Sequence, residues 1–139
     1  MVSASAYSQT PVVNIIKKYA DARGARSFVA RDGRMKIARP ILKNTPVGPL
    51  SDQVEEVSVL KMQNAPDELK SEFENELASA LTSYQYHGKH DTRNGIVDVY
   101  VLLMPDGMVH EMVIYNPGIY SLNSLCGIFT PESLLKLKE

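Results

Sequence analysis

The sequence predicts an α+β protein: an antiparallel sheet of about five strands, with its helices packed on one face. Two segments in the first two thirds of the chain repeat apolar residues at helical spacing. In the last third, three strand-like runs are separated by the turn sequences Pro105-Asp106-Gly107 and Asn116-Pro117-Gly118. An antiparallel sheet with helices covering one face accommodates this order of elements.

The first helix is predicted to begin at Thr10-Pro11, because the hydroxyl caps the helix and a proline costs nothing at the first helical position. The second helix is predicted over residues 66 to 82, where Pro66-Asp67-Glu68 places acidic side chains in the first turn. Thr130-Pro131 repeats the first signal, so a short closing helix is predicted at 132 to 137.

Strands are predicted wherever short runs are rich in β-branched and aromatic residues. These runs are "ARSFVAR" (25 to 31), "EEVSVLKM" (55 to 62) and the three-strand meander of "IVDVYVLLM" (96 to 104), "MVHEMVIY" (108 to 115) and "YSLNSLCGIF" (120 to 129). Residues 34 to 44 stay open between a hairpin strand after Asp32-Gly33 and a helix broken or bent at Pro40.

Length and composition predict one soluble domain over residues 10 to 139. At 139 residues, with 44% hydrophobic and 22% charged residues, the chain can bury a single core. A formal charge of -1 excludes a globally basic nucleic-acid binder. No run approaches the roughly 18 apolar residues that cross a bilayer. Cys126 is the single cysteine, which excludes an internal disulfide and a multi-cysteine zinc site.

Residues 1 to 9 are predicted to be a flexible N-terminus. Ala4-Ser5-Ala6 has the small-residue form that signal peptidase cleaves, so this segment is interpreted as the remnant of a signal peptide. A small, flexible native N-terminus is the alternative.

The stretch "YQYHGKHDTRNG" (84 to 95) is rich in side chains that can bind metal ions. The metal hypothesis joins residues of this stretch to two from the next hairpin: His87, His90, Asp91, His110 and Glu111. The spacing matches no specific metal motif, and in an extended segment His87 and His90 point to opposite faces. We therefore predict a polar connection, held by a turn at Asn94-Gly95, with no metal or other cofactor.

Seven basic residues lie between Arg23 and Lys43, interrupted only by Asp32. Five of them are the candidate binding residues for a small anionic ligand: Arg26, Arg31, Arg34, Lys36 and Arg39. The alternative is that they are spread over both sides of a strand and a helix and pair with acidic residues of 52 to 76. Only Phe28 offers an aromatic ring among them, so a nucleic-acid partner is not predicted.

No catalytic residue is predicted. Cys126 lies in an apolar strand pattern, where cysteine behaves as a small buried hydrophobe, and Glu111 is expected at an outward position of a half-exposed sheet. No nucleophile elbow, Walker loop or dinucleotide loop occurs. These residues favour a non-catalytic binding protein, and a metal-dependent or hydrolytic enzyme at the histidines stays the alternative.

The segments "YADARGARSFVA", "MKIARPILK", "EEVSVLKM", "YHGKHDTRNGIVDVYVLL" and "HEMVIYNPGIYSLNSLCGIF" together resemble the small bacterial domain-of-unknown-function family 4252, over residues 10 to 137. The resemblance implies an exported cell-envelope protein, periplasmic or secreted. We expect its partner to be an envelope protein or, through the basic cluster, a small anionic ligand. It also favours a helix within 34 to 44. Relatives often carry lipoprotein signals, but no cysteine lies near the N-terminus here, so lipid anchoring is not implied.

Overall fold

The computed structural model describes residues 10–44, 47–130 and 132. The α-helices of these residues are α1 (Pro11–Tyr19), α2 (Met35–Leu42) and α3 (Asp67–Leu81). The strands are β1 (Arg26–Arg31), β2 (Val54–Lys61), β3 (Gln85–Thr92), β4 (Gly95–Leu103), β5 (Val109–Asn116) and β6 (Ser121–Phe129). None of the described helices has the length and apolar character needed to span a membrane. The N-terminal prediction for residues 1 to 9 and, apart from Glu132, the closing helix lie outside the described residues.

The described strands form a six-stranded sheet in the order β1-β2-β6-β5-β4-β3, and every neighbouring pair is antiparallel. This confirms the α+β class and the meander of β4, β5 and β6. The predicted count of about five strands is one short, because β3 was interpreted as a connection. β3 pairs with β4 across a tight turn at Arg93-Asn94, one residue before the predicted Asn94-Gly95, and the Thr92 hydroxyl donates to the Gly95 carbonyl at 2.6 Å.

Helices α1 and α3 cover one face of the sheet, as predicted for all helices. Their apolar sides meet the sheet in one buried cluster, in which Phe73 of α3 makes edge-to-face ring contacts with Tyr19 of α1 and Tyr115 of β5. This side of the sheet is named the two-helix face. Val113 and Leu122 contribute to the same cluster from the central strands.

Helix α2 lies on the opposite face, which corrects the prediction of helices on one face only. Met35 and Ala38 of α2 are buried in one cluster with Ala30 of the edge strand β1 and Val57 of its neighbour β2. The ambiguous segment is therefore a helix and not a hairpin strand, as the family resemblance favoured. Pro40 lies in its last turn and is exposed, where loss of one backbone donor does not end the helix.

Candidate functional site

An apolar groove crosses the sheet on the face that carries α2. Its volume is about 420 Å³. Its floor uses alternate residues of β2, β6, β5 and β4, because successive side chains of a strand point to opposite faces. These floor residues are Val57, Val59, Asn123, Leu125, Met112, Ile114, Val97 and Val99.

Strand register places the floor residues side by side in rows. In the central row Phe28 is opposite Val59, and the row continues through Asn123 and Ile114 to Val99. Four of these five side chains are apolar. The backbone groups of the central strands are engaged in pairing with strands on both sides. The floor therefore offers a ligand apolar contact and very few hydrogen-bonding groups.

One wall of the groove is the side of α2 that does not contact the sheet. Ile37 and Ile41, one helical turn apart, line this wall and are 71% and 63% exposed. Large apolar side chains with such exposure, gathered around one concave surface, mark binding sites more often than chance exposure does. The sequence signal for this wall was present, since "MKIARPIL" carries apolar residues on two sides of the helix and not on one.

The far end of the groove is polar and is formed by the β3–β4 hairpin. His90, Thr92 and Asn94 line it. The Thr92 hydroxyl is used within the turn, donating to Gly95 and accepting from the Asn94 amide. His90 is half-buried, and its imidazole makes no hydrogen bond to the part of the chain that the structure describes. It is available to orient a ligand.

The structure does not bring the five candidate metal ligands together. His87 occupies the bulge between Tyr86 and Gly88, whereas the His110 ring lies 3.0 Å from Asp106 in the adjacent turn. Glu111 lies on the two-helix face and His90 on the groove face. Within the described ranges, no group of three histidine, cysteine, aspartate or glutamate residues could hold a metal ion. The absence of a bound metal stays a prediction.

Glu111 is fully buried, which corrects its predicted outward position on a half-exposed sheet. The physical reason is that β5 is a central strand with packed side chains on both faces, so no outward position exists at its middle. Its carboxylate accepts hydrogen bonds from the hydroxyls of Tyr84 and Ser124. Burial raises the pKa of Glu111, and hydrogen bonds from Ser124, Tyr84 and Thr10 oppose that rise.

The buried hydrogen bonds of Glu111 connect secondary-structure elements and are not positioned for catalysis. The Tyr84 hydroxyl donates a hydrogen bond to Glu111 and accepts one from the Val12 amide of α1 at 3.2 Å. This single hydroxyl therefore connects a helix to the sheet. Cys126 lies beside it, with its sulfur 3.5 Å from the Ser124 hydroxyl. Burial, and then the nearby Glu111, raise the pKa of the Cys126 thiol, which keeps the sulfur protonated and unreactive.

The five candidate anion-binding residues are not gathered into one site either. Arg39 donates to the backbone carbonyls of Ser51 and Val54 at 3.1 and 2.8 Å and fixes α2 to the following loop. Arg34 donates to the Val29 carbonyl at 3.2 Å. The other three, Arg26, Arg31 and Lys36, are exposed. By strand alternation Arg26 lies on the groove face and Arg31 on the two-helix face.

Comparison with known proteins finds no matching family model, no similar curated protein and no similar solved structure. The resemblance to domain-of-unknown-function family 4252 stays a prediction.

The raised pKa of Glu111 predicts a pH-dependent term in folding stability. The folded state holds the Glu111 proton more tightly than the unfolded chain does, so this residue favours folding below its ordinary pKa of 4.5. That contribution is lost as the pH rises through the raised folded pKa. Urea unfolding between about pH 4 and pH 8 should show this loss in the parent and not in Glu111→Gln.

Glu68→Gln is the matched control, because Glu68 is an exposed glutamate on α3. Its stability profile should follow that of the parent. A Glu111→Gln profile that also follows the parent would show that the buried carboxyl does not cause the pH dependence.

Proposed function

We propose that this protein is a non-catalytic binding module of the bacterial cell envelope, whose groove holds a small, chain-like apolar molecule. The observation that carries the proposal is the groove itself. It is a concave apolar surface on a sheet face that α2 covers only in part, with exposed isoleucines at its wall. Its volume of about 420 Å³ falls within the roughly 300–1,000 Å³ of small-molecule sites.

The floor favours a hydrocarbon chain over an extended peptide. A peptide lying across the central strands would place its own amide and carbonyl groups against Val59, Ile114 and Val99. Those backbone groups would lose water and gain no partner, which costs about 1–3 kcal/mol for each group. A hydrocarbon chain carries no such groups and gains about 0.8 kcal/mol for each methylene buried.

The lining also supports binding over catalysis. His90 is the single titratable side chain among the described residues that line the groove. The potential nucleophile Cys126 and the acid Glu111 are buried on the two-helix face. An imidazole alone at the end of an apolar surface can orient a polar group, but it lacks the second functional group that acid–base or nucleophilic catalysis requires.

The envelope location is supported by the family resemblance and by the Ala4-Ser5-Ala6 pattern. We expect the mature chain to begin close to Tyr7. Mass spectrometry of the protein purified from its native cells measures this directly. A chain that retains Met1 and is recovered from the cytoplasm would contradict export.

Ligand binding can be tested with N-phenylnaphthylamine, an uncharged fluorophore whose emission rises in apolar surroundings. We expect the parent to bind it with a dissociation constant on the order of micromolar, a typical value for a small apolar ligand. Ile41→Glu places a carboxylate on the groove wall and should weaken binding about tenfold or more, because the charge must be desolvated. Since Ile41 is exposed, folding stability should change by no more than about 0.5 kcal/mol.

Ile128→Glu is the matched control, because Ile128 is 47% exposed and lies outside the groove. It should bind the fluorophore like the parent. A parent that does not bind, or an equal loss in both variants, would refute the groove as the binding site.

A further inference from the structure

We infer that the ligand of the groove is an anionic amphiphile, whose carboxylate, phosphate or sulfate head lies between Arg26 and Lys61. This inference rests on the proposed function and names the chemical class of the molecule that fills the site. It comes from the charges beside the groove and from the strand register that places them there.

The register of β1 and β2 places Arg26 directly opposite Lys61. Each lies two residues beyond a groove-lining residue of the same strand, Arg26 beyond Phe28 and Lys61 beyond Val59. Two residues along a strand share a face and are about 6.6–6.8 Å apart. Both cations therefore stand on the groove face, within side-chain reach of its Phe28–Val59 end.

Within the part of the chain that the structure describes, neither of the two cations forms an ion pair. The ion pairs found there include Lys18–Glu76, Lys43–Asp52, Lys89–Asp98 and His110–Asp106. Neither Arg26 nor Lys61 belongs to them. Like charges directly opposite each other in a sheet are destabilising. An anion placed between them would remove that repulsion.

The opposite edge of the same sheet shows the compensated arrangement. Lys89 of β3 is directly opposite Asp98 of β4, and their charged atoms are 2.7 Å apart. The fold can therefore place an acidic residue opposite an edge cation, but it places a second cation opposite Arg26. Protection of the sheet edge against pairing with another copy explains Arg26 on the edge strand β1. It does not explain Lys61, because β2 is an interior strand.

Polarity changes between two adjacent rows of the sheet at this end of the groove. The row of Phe28 and Val59 is apolar, whereas the next row places Ser121 of β6 opposite Lys61, and Lys61 opposite Arg26. This change from an apolar row to a charged row matches an amphiphile that has one hydrocarbon chain and one charged head. The chain lies over Val57, Val59 and Met112, and the guanidinium and ammonium groups donate charge-assisted hydrogen bonds to the head.

The test compares molecules that share one hydrocarbon chain and differ in the head. Dodecanoate, dodecyl phosphate, dodecanol and dodecylamine, each below its micelle concentration and at low salt, compete with bound N-phenylnaphthylamine. We expect the two anions to displace the fluorophore at about tenfold lower concentration than dodecanol, with dodecylamine the weakest. Acetate and inorganic phosphate should not displace it, because they lack the chain.

The double variant Arg26→Gln with Lys61→Gln should abolish the preference for anionic heads and leave fluorophore affinity unchanged. The control Arg31→Gln with Lys70→Gln removes the same charge away from the groove, because Arg31 lies on the two-helix face and Lys70 belongs to α3, and it should keep the preference. Equal displacement by dodecanoate and dodecanol, or a preference that survives the Arg26 and Lys61 changes, would overturn the inference. Displacement by inorganic phosphate alone would also overturn it. Failure of the fluorophore itself to bind would instead overturn the proposed function.

Discussion

Helix α2 is too short to cross its face of the sheet, and the proposed function depends on the groove that lies beside it. A sheet of six strands is about 24 Å wide from one edge strand to the other, at roughly 4.8 Å for each pair. Helix α2, with 8 residues, is only about 12 Å long and about 10 Å wide. It lies over β1 and β2 and does not reach across β6, β5 and β4. The groove lies beside it, and its floor side chains, such as Met112, Leu125 and Ile114, are buried or half-buried.

We propose that the two-helix face and the groove face have different roles. On the two-helix face, the carboxylate of Glu111 is buried and joined by hydroxyls to β6 and, through Tyr84, to α1. A buried acid costs free energy unless it is hydrogen-bonded, so its value is to specify one arrangement of helix and sheet. The opposite face also has a buried core, which includes Val101, Val109 and Phe129, so the groove is a local concave surface there. The groove face carries the groups that we propose select a ligand, and the two-helix face carries the buried acid and thiol.

The sequence was sufficient for elements whose pattern is local. The hairpin turns, the cap at Thr10-Pro11 and the apolar runs of β4 to β6 specify their structure within a few residues, and these predictions are confirmed. β3 could not be found in this way, since an edge strand held by backbone pairing needs no apolar periodicity. The burial of Glu111 depends on the central place of β5, and the meeting of Arg26 with Lys61 depends on a register between distant segments. Of the proposed site, the sequence singled out Arg26 as an anion-binding candidate and His90 only as an alternative metal ligand, and the groove between them was not predicted.

Nuclear magnetic resonance of isotope-labelled methyl groups is the most direct test of the central claim that the groove is the binding site. Methyl resonances should be recorded while dodecanoate is titrated into the intact protein. If the ligand binds in the groove, the methyl resonances of the groove residues Ile37, Ile41, Met112 and Ile114 should shift together. The shifts should saturate at one ligand per chain. Ile15 and Ile16 of α1, on the two-helix face, should stay unchanged. Shifts confined to α1 and α3, or shifts that spread over both faces without saturating, would contradict the account.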